Sequence, residues 1–175
     1  MVKRGVFPGR FQPPHYGHVK AIKWALDKVV DELIVIIGSA QESFTLKNPL
    51  TAGERFYLLD KLLRSEASNY LHRIRIVPVM DINSNKQWVR YLEMLLPPFH
   101  AVVSGNPLVQ ILFEDSGYEV FSPPMFSRSK CSGTRIRRTV IEGGVWEECV
   151  PEIILDDLLE IGFAERLKRL SRGDE

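Results

Sequence analysis

Short apolar runs rich in β-branched residues alternate along this chain with segments whose apolar positions recur at helical spacing. Such alternation predicts βα units, and hence a mostly parallel sheet with helices on both faces. The predicted class is α/β, a doubly wound, Rossmann-like sheet. A strand over residues 2–8 leads through a Gly/Pro loop into a helix from about 17, where Ile22, Ala25, Leu26 and Val29 form an apolar stripe opposite Lys20, Lys23 and Asp27. The next run, 32–38, is almost wholly apolar and predicts a central strand covered on both faces. A polar loop, 39–50, follows.

Thr51 and Glu54 have capping-box spacing and predict a helix that buries Phe56, Leu59 and Leu63. Further strands are expected over 73–79, 100–104 and 119–121, with helices over 88–96 and up to about 115. Ligands of open parallel sheets bind beyond the carboxyl ends of the strands, so the loops after Pro8, Gly38, Val79 and Ser104 are expected to converge on one crevice. From Ser132 onward the pattern is helical, divided by Gly143-Gly144 and Pro151. One domain over 1–175 is expected, an α/β core over 1–130 and a helical C-terminal part over 131–175. The charged run 165–170 is expected to be a solvated amphipathic helix end.

Composition narrows the picture. With 175 residues, 45% of them hydrophobic, the chain can bury a core of one-domain size. Lys+Arg number 23 against 22 Asp+Glu, which gives no overall pull toward nucleic acid or an anionic membrane. Phosphate binding must then be local. No apolar stretch could span a bilayer and the first residues lack a signal-peptide hydrophobic region, so a cytoplasmic protein is expected. Cys131 and Cys149 match no metal-ligand spacing and are expected to be free thiols of a reducing compartment.

Two segments carry candidate chemistry. In Gly9-Arg10-Phe11-Gln12-Pro13-Pro14-His15-Tyr16-Gly17-His18 a strand turns sharply into a helix N-terminus, which offers backbone N–H groups to an anion. His15 and His18, three apart, could both donate to the phosphates of ATP, with Arg10 beside them. His18 also shares a face with Ile22 and Ala25, as a core histidine would, and a zinc pair is a further alternative without other ligands nearby. In the second segment Arg128, Lys130, Arg135, Arg137 and Arg138 crowd five cations together in an otherwise neutral chain. If Ser132 caps a helix, Thr134 and Arg137 are i,i+3 neighbours at its N-terminus and can hold pyrophosphate. Arg135 and Arg138 fall on another side, solvated or between subunits. Trp88 suits stacking on a flat heterocycle or a place in the core. Asp81 and Asn85 lie beyond a predicted strand end, as hydrogen-bonding partners or turn caps, and Gly105 and Asn106 begin a loop over the sheet.

The first segment resembles the histidine motif of the nucleotidyltransferase superfamily. Ser39-Ala40-Gln41, Asn48-Pro49 with Thr51-Ala52-Gly53-Glu54-Arg55, Trp88-Val89, Ser104-Gly105-Asn106-Pro107-Leu108-Val109 and Ser132-Gly133-Thr134-Arg135-Ile136-Arg137-Arg138 are similar, in order and spacing, to the archaeal nicotinamide-nucleotide adenylyltransferases. The resemblance runs over about 5–151. It implies transfer of AMP from ATP to nicotinamide mononucleotide (NMN), forming NAD and pyrophosphate, with Mg²⁺ held by phosphates and water, in a homohexamer. It further implies His15, His18, Arg10 and Arg137 as catalytic residues. Gly9, Arg10, Gln12, His15, His18, Gly105, Ser132, Thr134 and Arg137 are implied for ATP, and Ser39, Lys47, Asp81, Asn85 and Trp88 for the acceptor nucleotide. Pro14 departs from an aromatic residue and Lys47 from an arginine in that pattern, the latter offering a point charge instead of a planar fork. Alternatives are an adenylyl- or cytidylyltransferase with another phosphorylated acceptor, or a nucleotide-sensing module without turnover.

Overall fold

The computed structural model describes residues 1–126 and 131–173. Five strands, β1 (Arg4–Gly9), β2 (Glu32–Ile37), β3 (Ile74–Pro78), β4 (Ala101–Val103) and β5 (Glu119–Phe121), form one sheet among the described residues. All neighbouring pairs are parallel and the order is β3-β2-β1-β4-β5. The chain therefore winds outward from β1 in one direction and then, from β4, in the other. The switch point falls between β1 and β4, where the loops leaving adjacent strand ends diverge and open a crevice.

Strand period and helix period explain the layers. In β2, Leu33, Val35 and Ile37 face one core cluster while Ile34 and Ile36 face the other, as side chains alternate across a strand. The first face is covered by α1 (Tyr16–Lys28) and α2 (Ala52–Glu66), and also by the C-terminal helices α5 (Gly133–Ile141), α6 (Glu152–Ile161) and α7 (Phe163–Arg172). The second face is covered by α3 (Asn85–Leu95) and α4 (Pro107–Asp115). The capping box expected before α2 is present: Thr51 Oγ1 accepts from the Glu54 N–H at 3.1 Å, and Glu54 Oε2 accepts from the Thr51 N–H at 2.8 Å.

Three expectations need correction. The buried face of α2 is Arg55, Leu58, Leu59, Leu62 and Leu63; Leu59 and Leu63 are buried as expected, while Phe56 is exposed because its neighbour Arg55 takes the inward position. The charged run in α7 is not merely solvated. Leu167 is wholly buried, and Arg166 donates to both carboxylate oxygens of Glu54, at 2.8 and 2.9 Å, and to Pro49 O at 2.9 Å. Cys131 and Cys149 are joined in a disulfide, so neither is a free thiol. A short 3₁₀ turn, Glu147–Cys149, folds back and brings their Cα atoms to 5.0 Å, inside the span a disulfide bridges. Two cysteines were too few to suggest this pairing from composition.

Candidate active site

The switch-point crevice holds a cavity of about 300 Å³. Gly9 and Arg10 enter it from the end of β1, Ser104 and Gly105 from the end of β4, and Ser132, Thr134 and Arg137 from α5. Gln12, His15 and His18 complete its floor, so every residue expected at the ATP side lines this one cavity. Arg128 and Lys130 lie outside the described residues. Arg138 pairs with Glu142 at 2.7 Å on the solvent side, and Arg135 is exposed, as their helical phase predicts.

Local sequence explains the histidine pair. His15 stands at the N-cap of α1 in extended conformation, and the next turn lays the His18 ring over it, with centroids 3.7 Å apart. The His15 backbone N–H donates to His18 Nδ1 at 3.1 Å. Accepting at Nδ1 leaves the ring hydrogen on Nε2, which makes that nitrogen a donor. Phe11 packs against the other side of His18, with centroids 4.5 Å apart. Gly17 permits this close approach, since a Cβ would lie 3.0 Å from His15 ring atoms, which would have to shift.

At the second segment Ser132 caps α5, its hydroxyl accepting from the Arg135 N–H at 3.3 Å. Arg137 reaches back toward the first segment. Its Nη1 donates to Gln12 O at 2.8 Å and its Nη2 to Thr134 Oγ1 at 3.3 Å. Gly133 lets these two segments touch, because a Cβ there would lie 3.2 Å from Gln12 O and 3.3 Å from the Arg137 guanidinium. Burial, with the nearby charge of Arg10 adding to it, pushes Arg137 down to about 10. It stays a cation at neutral pH, and an anion in the cavity would relieve the repulsion.

Gln12 serves the site differently from a direct ligand. Its side chain is almost wholly buried and exchanges two hydrogen bonds with the Leu50 backbone, both 2.9 Å long. Only its backbone remains to face the cavity. Among the described residues the lining contains no Asp or Glu, and no group of three or more His, Cys, Asp or Glu stands together to hold a metal.

The residues expected for the acceptor lie elsewhere. Ser39 follows β2 and Asp81 follows β3, and the Ser39 N–H donates to Asp81 Oδ1 at 3.3 Å. Asn85 and Trp88 occupy the first turn of α3 at i,i+3 spacing, and Lys47 is exposed in the loop before α2. Trp88 is half-buried and meets Phe113 edge-on, with ring centroids 5.9 Å apart. None of these five lines that cavity. The loops after β2 and β3, which touch through Ser39 and Asp81, thus lie outside that cavity. Asn106 caps α4, its Oδ1 accepting from the Leu108 N–H at 3.0 Å.

The sequence shows Arg55 within the segment 51–55 but assigns it no role. It sits at the first position of the apolar stripe of α2, a charge where Leu58, Leu59 and Leu62 continue the pattern, and that misplacement was the available signal. Its side chain is 0% exposed, and burial, with Arg10 adding and Asp81 opposing, lowers it to about 10.

Comparison with known proteins places this geometry among relatives. A cytidylyltransferase-like family model matches residues 6–139. The nicotinamide-nucleotide adenylyltransferase of Aeropyrum pernix is 54% identical over 170 residues, 97% of this chain and 98% of that one. That of Ignicoccus hospitalis is 47% identical over 172 residues, 98% of this chain and 99% of its relative. A solved bifunctional NMN adenylyltransferase/ADP ribose pyrophosphatase from Francisella tularensis superposes with a TM-score of 0.76 at 20% identity, over 97% of this chain and 53% of that one. The fold is shared, and this chain spans about half the length of that bifunctional protein.

Proposed function

The chain belongs to the nicotinamide-nucleotide adenylyltransferases, transferring AMP from ATP to NMN to form NAD and pyrophosphate, and we propose that its own residues do so by direct in-line attack on the α-phosphorus. The observation that carries this mechanism is the cavity at the switch point, where donors and cations from two distant segments of the chain face one small volume with no carboxylate among its described lining. Such a lining suits a phosphate chain and nothing anionic of the protein's own.

In the proposed pose the ATP phosphates lie over the N-termini of α1 and α5. His18 Nε2, His15, Arg10 and Arg137 donate to oxygens on which charge grows as the bond to the α-phosphorus changes hands. Thr134 and Ser132 hold the departing pyrophosphate. The attacking 5′-phosphate of NMN is ionised at neutral pH, so no general base and no protein nucleophile is needed. Positioning and charge stabilisation then supply most of the rate. Mg²⁺ is the proposed cofactor, held by phosphate and water oxygens, which matches a lining without Asp or Glu. When bound it neutralises phosphate charge. A solved bifunctional enzyme with this fold was described in complex with AMP and a Mn ion.

The acceptor nucleotide is assigned to the flank formed by Ser39, Lys47, Asp81, Asn85 and Trp88, with Trp88 offering an aromatic surface and the polar groups taking ribose or carboxamide. A cytoplasmic setting is proposed, and no helix among the described residues is long and apolar enough to cross a membrane. A homohexamer is proposed too. Exposed Met94, Leu95, Leu108 and Ile111 on neighbouring α3 and α4 support self-association, which light scattering would measure directly.

Incubation of the purified chain with ATP, Mg²⁺ and either NMN or nicotinic acid mononucleotide tests the reading, with dinucleotide followed by chromatography and pyrophosphate by coupled hydrolysis. NAD with stoichiometric pyrophosphate is expected. Tight ATP binding without pyrophosphate release would reduce the chain to a sensor, and turnover with some other phosphorylated acceptor alone would reassign the second flank.

A further inference from the structure

The two flanks of the crevice are built on different loops, yet in-line transfer requires their ligands to meet with reacting atoms in register. A single buried side chain connects them. Arg55 Nη1 donates to Arg10 O at 3.0 Å and to Gly38 O at 2.7 Å, Nη2 donates to Ser39 O at 2.9 Å, and Nε donates to Thr51 O at 3.3 Å. Arg10 belongs to the phosphate cavity, whereas Ser39 leads through its N–H to Asp81 on the acceptor flank. Among the described residues Arg55 forms no ion pair, and all four of these acceptors are backbone carbonyls. A wholly buried cation that donates to carbonyls, with the charge of Asp81 offsetting only part of its burial, is costly to keep, and a leucine would serve the apolar stripe of α2 at lower cost.

The local backbone shows why a fork is needed. Ser39 has φ of 50°, in the left-handed region that non-glycine residues seldom occupy, and Phe11, next to Arg10, has φ of 53°. Both loops thus hold a residue in an unfavourable conformation next to a carbonyl that Arg55 grips. Gly38 N–H also donates to Gly9 O at 2.9 Å, so the loops already touch, and the guanidinium sets how far each can slide. Its planar donors point in fixed directions, which an ammonium cannot reproduce.

We propose that Arg55 is a positioning residue that holds the phosphate loop after β1 and the acceptor loop after β2 in mutual register, touching neither substrate. This rests on the assignment of the acceptor to the Ser39 flank. Each loop on its own remains able to bind its ligand, and what Arg55 sets is the distance and angle between the two.

Arg55→Lys keeps the charge and the stem but loses the fork. Steady-state kinetics are measured with each substrate varied in turn, at a temperature where circular dichroism shows the variant folded. The expected result is KM for ATP and for NMN within about threefold of the parent and kcat lower by about a hundredfold, the loss that a misplacement of about 1 Å causes. Hydrogen exchange of backbone amides reads the same inference without turnover: amides of residues 10–12 and 38–40 lose protection together, while those of α6 do not. Should Arg55→Lys not fold, Arg55→Gln, with planar amide donors and no charge, takes its place. Unchanged kcat, a rise in KM for one substrate alone with kcat intact, or collapse of both variants to unfolded chains would each overturn the proposal. If the parent forms no NAD, the functional reading fails, and the exchange experiment still decides whether Arg55 couples the two loops.

Discussion

Replacing Arg137 by methionine separates a catalytic role from a structural one, because the structural terms nearly cancel. Arg137 is only 8% exposed, and loss of its guanidinium strands Gln12 O, which accepts from it at 2.8 Å. A buried carbonyl left without its donor costs about 1–3 kcal/mol. Against that, burial and the charge of Arg10 lower Arg137 from its ordinary value to about 10, and such a shift corresponds to about 3 kcal/mol of unfavourable charge in the folded state. A base with a depressed pKa penalises folding at every pH where it stays charged, so methionine removes that penalty at neutral pH. The net change in stability should fall within about 2 kcal/mol, which for this length moves the melting temperature by a few degrees in either direction. Catalysis has no such offset. One preorganised donor to developing charge is worth about 2.7–4 kcal/mol, or roughly 10²–10³ in kcat. NAD formation, followed by coupled reduction to NADH, and thermal unfolding of the same preparation provide the two readouts. A folded Arg137→Met with kcat within tenfold of the parent refutes the phosphate-donor role. A melting temperature lower by more than about 15 °C refutes the cancellation and makes Arg137 a structural clamp.

Other outcomes follow from the same geometry. His18→Ala should lower kcat by about 10²–10³, since the Nε2 donor is lost; the same change removes the packing partner of Phe11 and the acceptor of the His15 N–H, so thermal unfolding is read on the same preparation, and near-normal turnover would assign His18 to packing. Burial pushes the Glu54 carboxyl up, but hydrogen bonds from Arg166 and the Thr51 N–H outweigh it and hold the group below its ordinary 4.5. Its folded pKa being depressed, Glu54 stabilises the fold above pH 4.5, and that contribution is lost as pH falls through the folded value. Urea unfolding should show Glu54→Gln less stable by about 1–3 kcal/mol at pH 7 and equal to the parent well below its carboxylate range; a difference that persists in acid would contradict the ion-pair account. The Cys131–Cys149 bridge closes a loop of sequence separation 18, for which chain entropy predicts about 3 kcal/mol. Thiol titration of the unreduced, denatured chain should find no free thiol, and reduction should lower the melting temperature by roughly 6–12 °C. Two reactive thiols before reduction would remove the bridge.

What the chain determined by itself is what neighbours within about one helical turn decide. The alternation in β2 assigns Leu33 and Ile34 to opposite faces, Thr51 and Glu54 close a capping box, Ser132 caps α5, and His15 and His18 stack because three residues of helix bring them together. These depend on torsions and spacing that any reader of residues can count. The convergence of the ATP-side residues was also legible, since the strand-loop-helix motif and a cation-rich helix start each mark an anion site. Phe56 was misjudged because the first position of a short stripe can fall on either of two neighbours, and the run 165–170 because burial of a helix end depends on what packs over it. Only the tertiary structure decided the rest. Gln12 O meets Arg137 across 125 positions of sequence, Arg55 grips a carbonyl 45 positions away, and Cys149 folds back onto Cys131. Trp88 finds Phe113 as an edge-on neighbour on the second face of the sheet. Contacts of this kind form when the strand order β3-β2-β1-β4-β5 lays particular loop ends side by side. Residue pattern specifies which surfaces must be buried. Which distant backbone carbonyls a buried arginine then reaches is set by the closed packing of the whole sheet and its two helical layers.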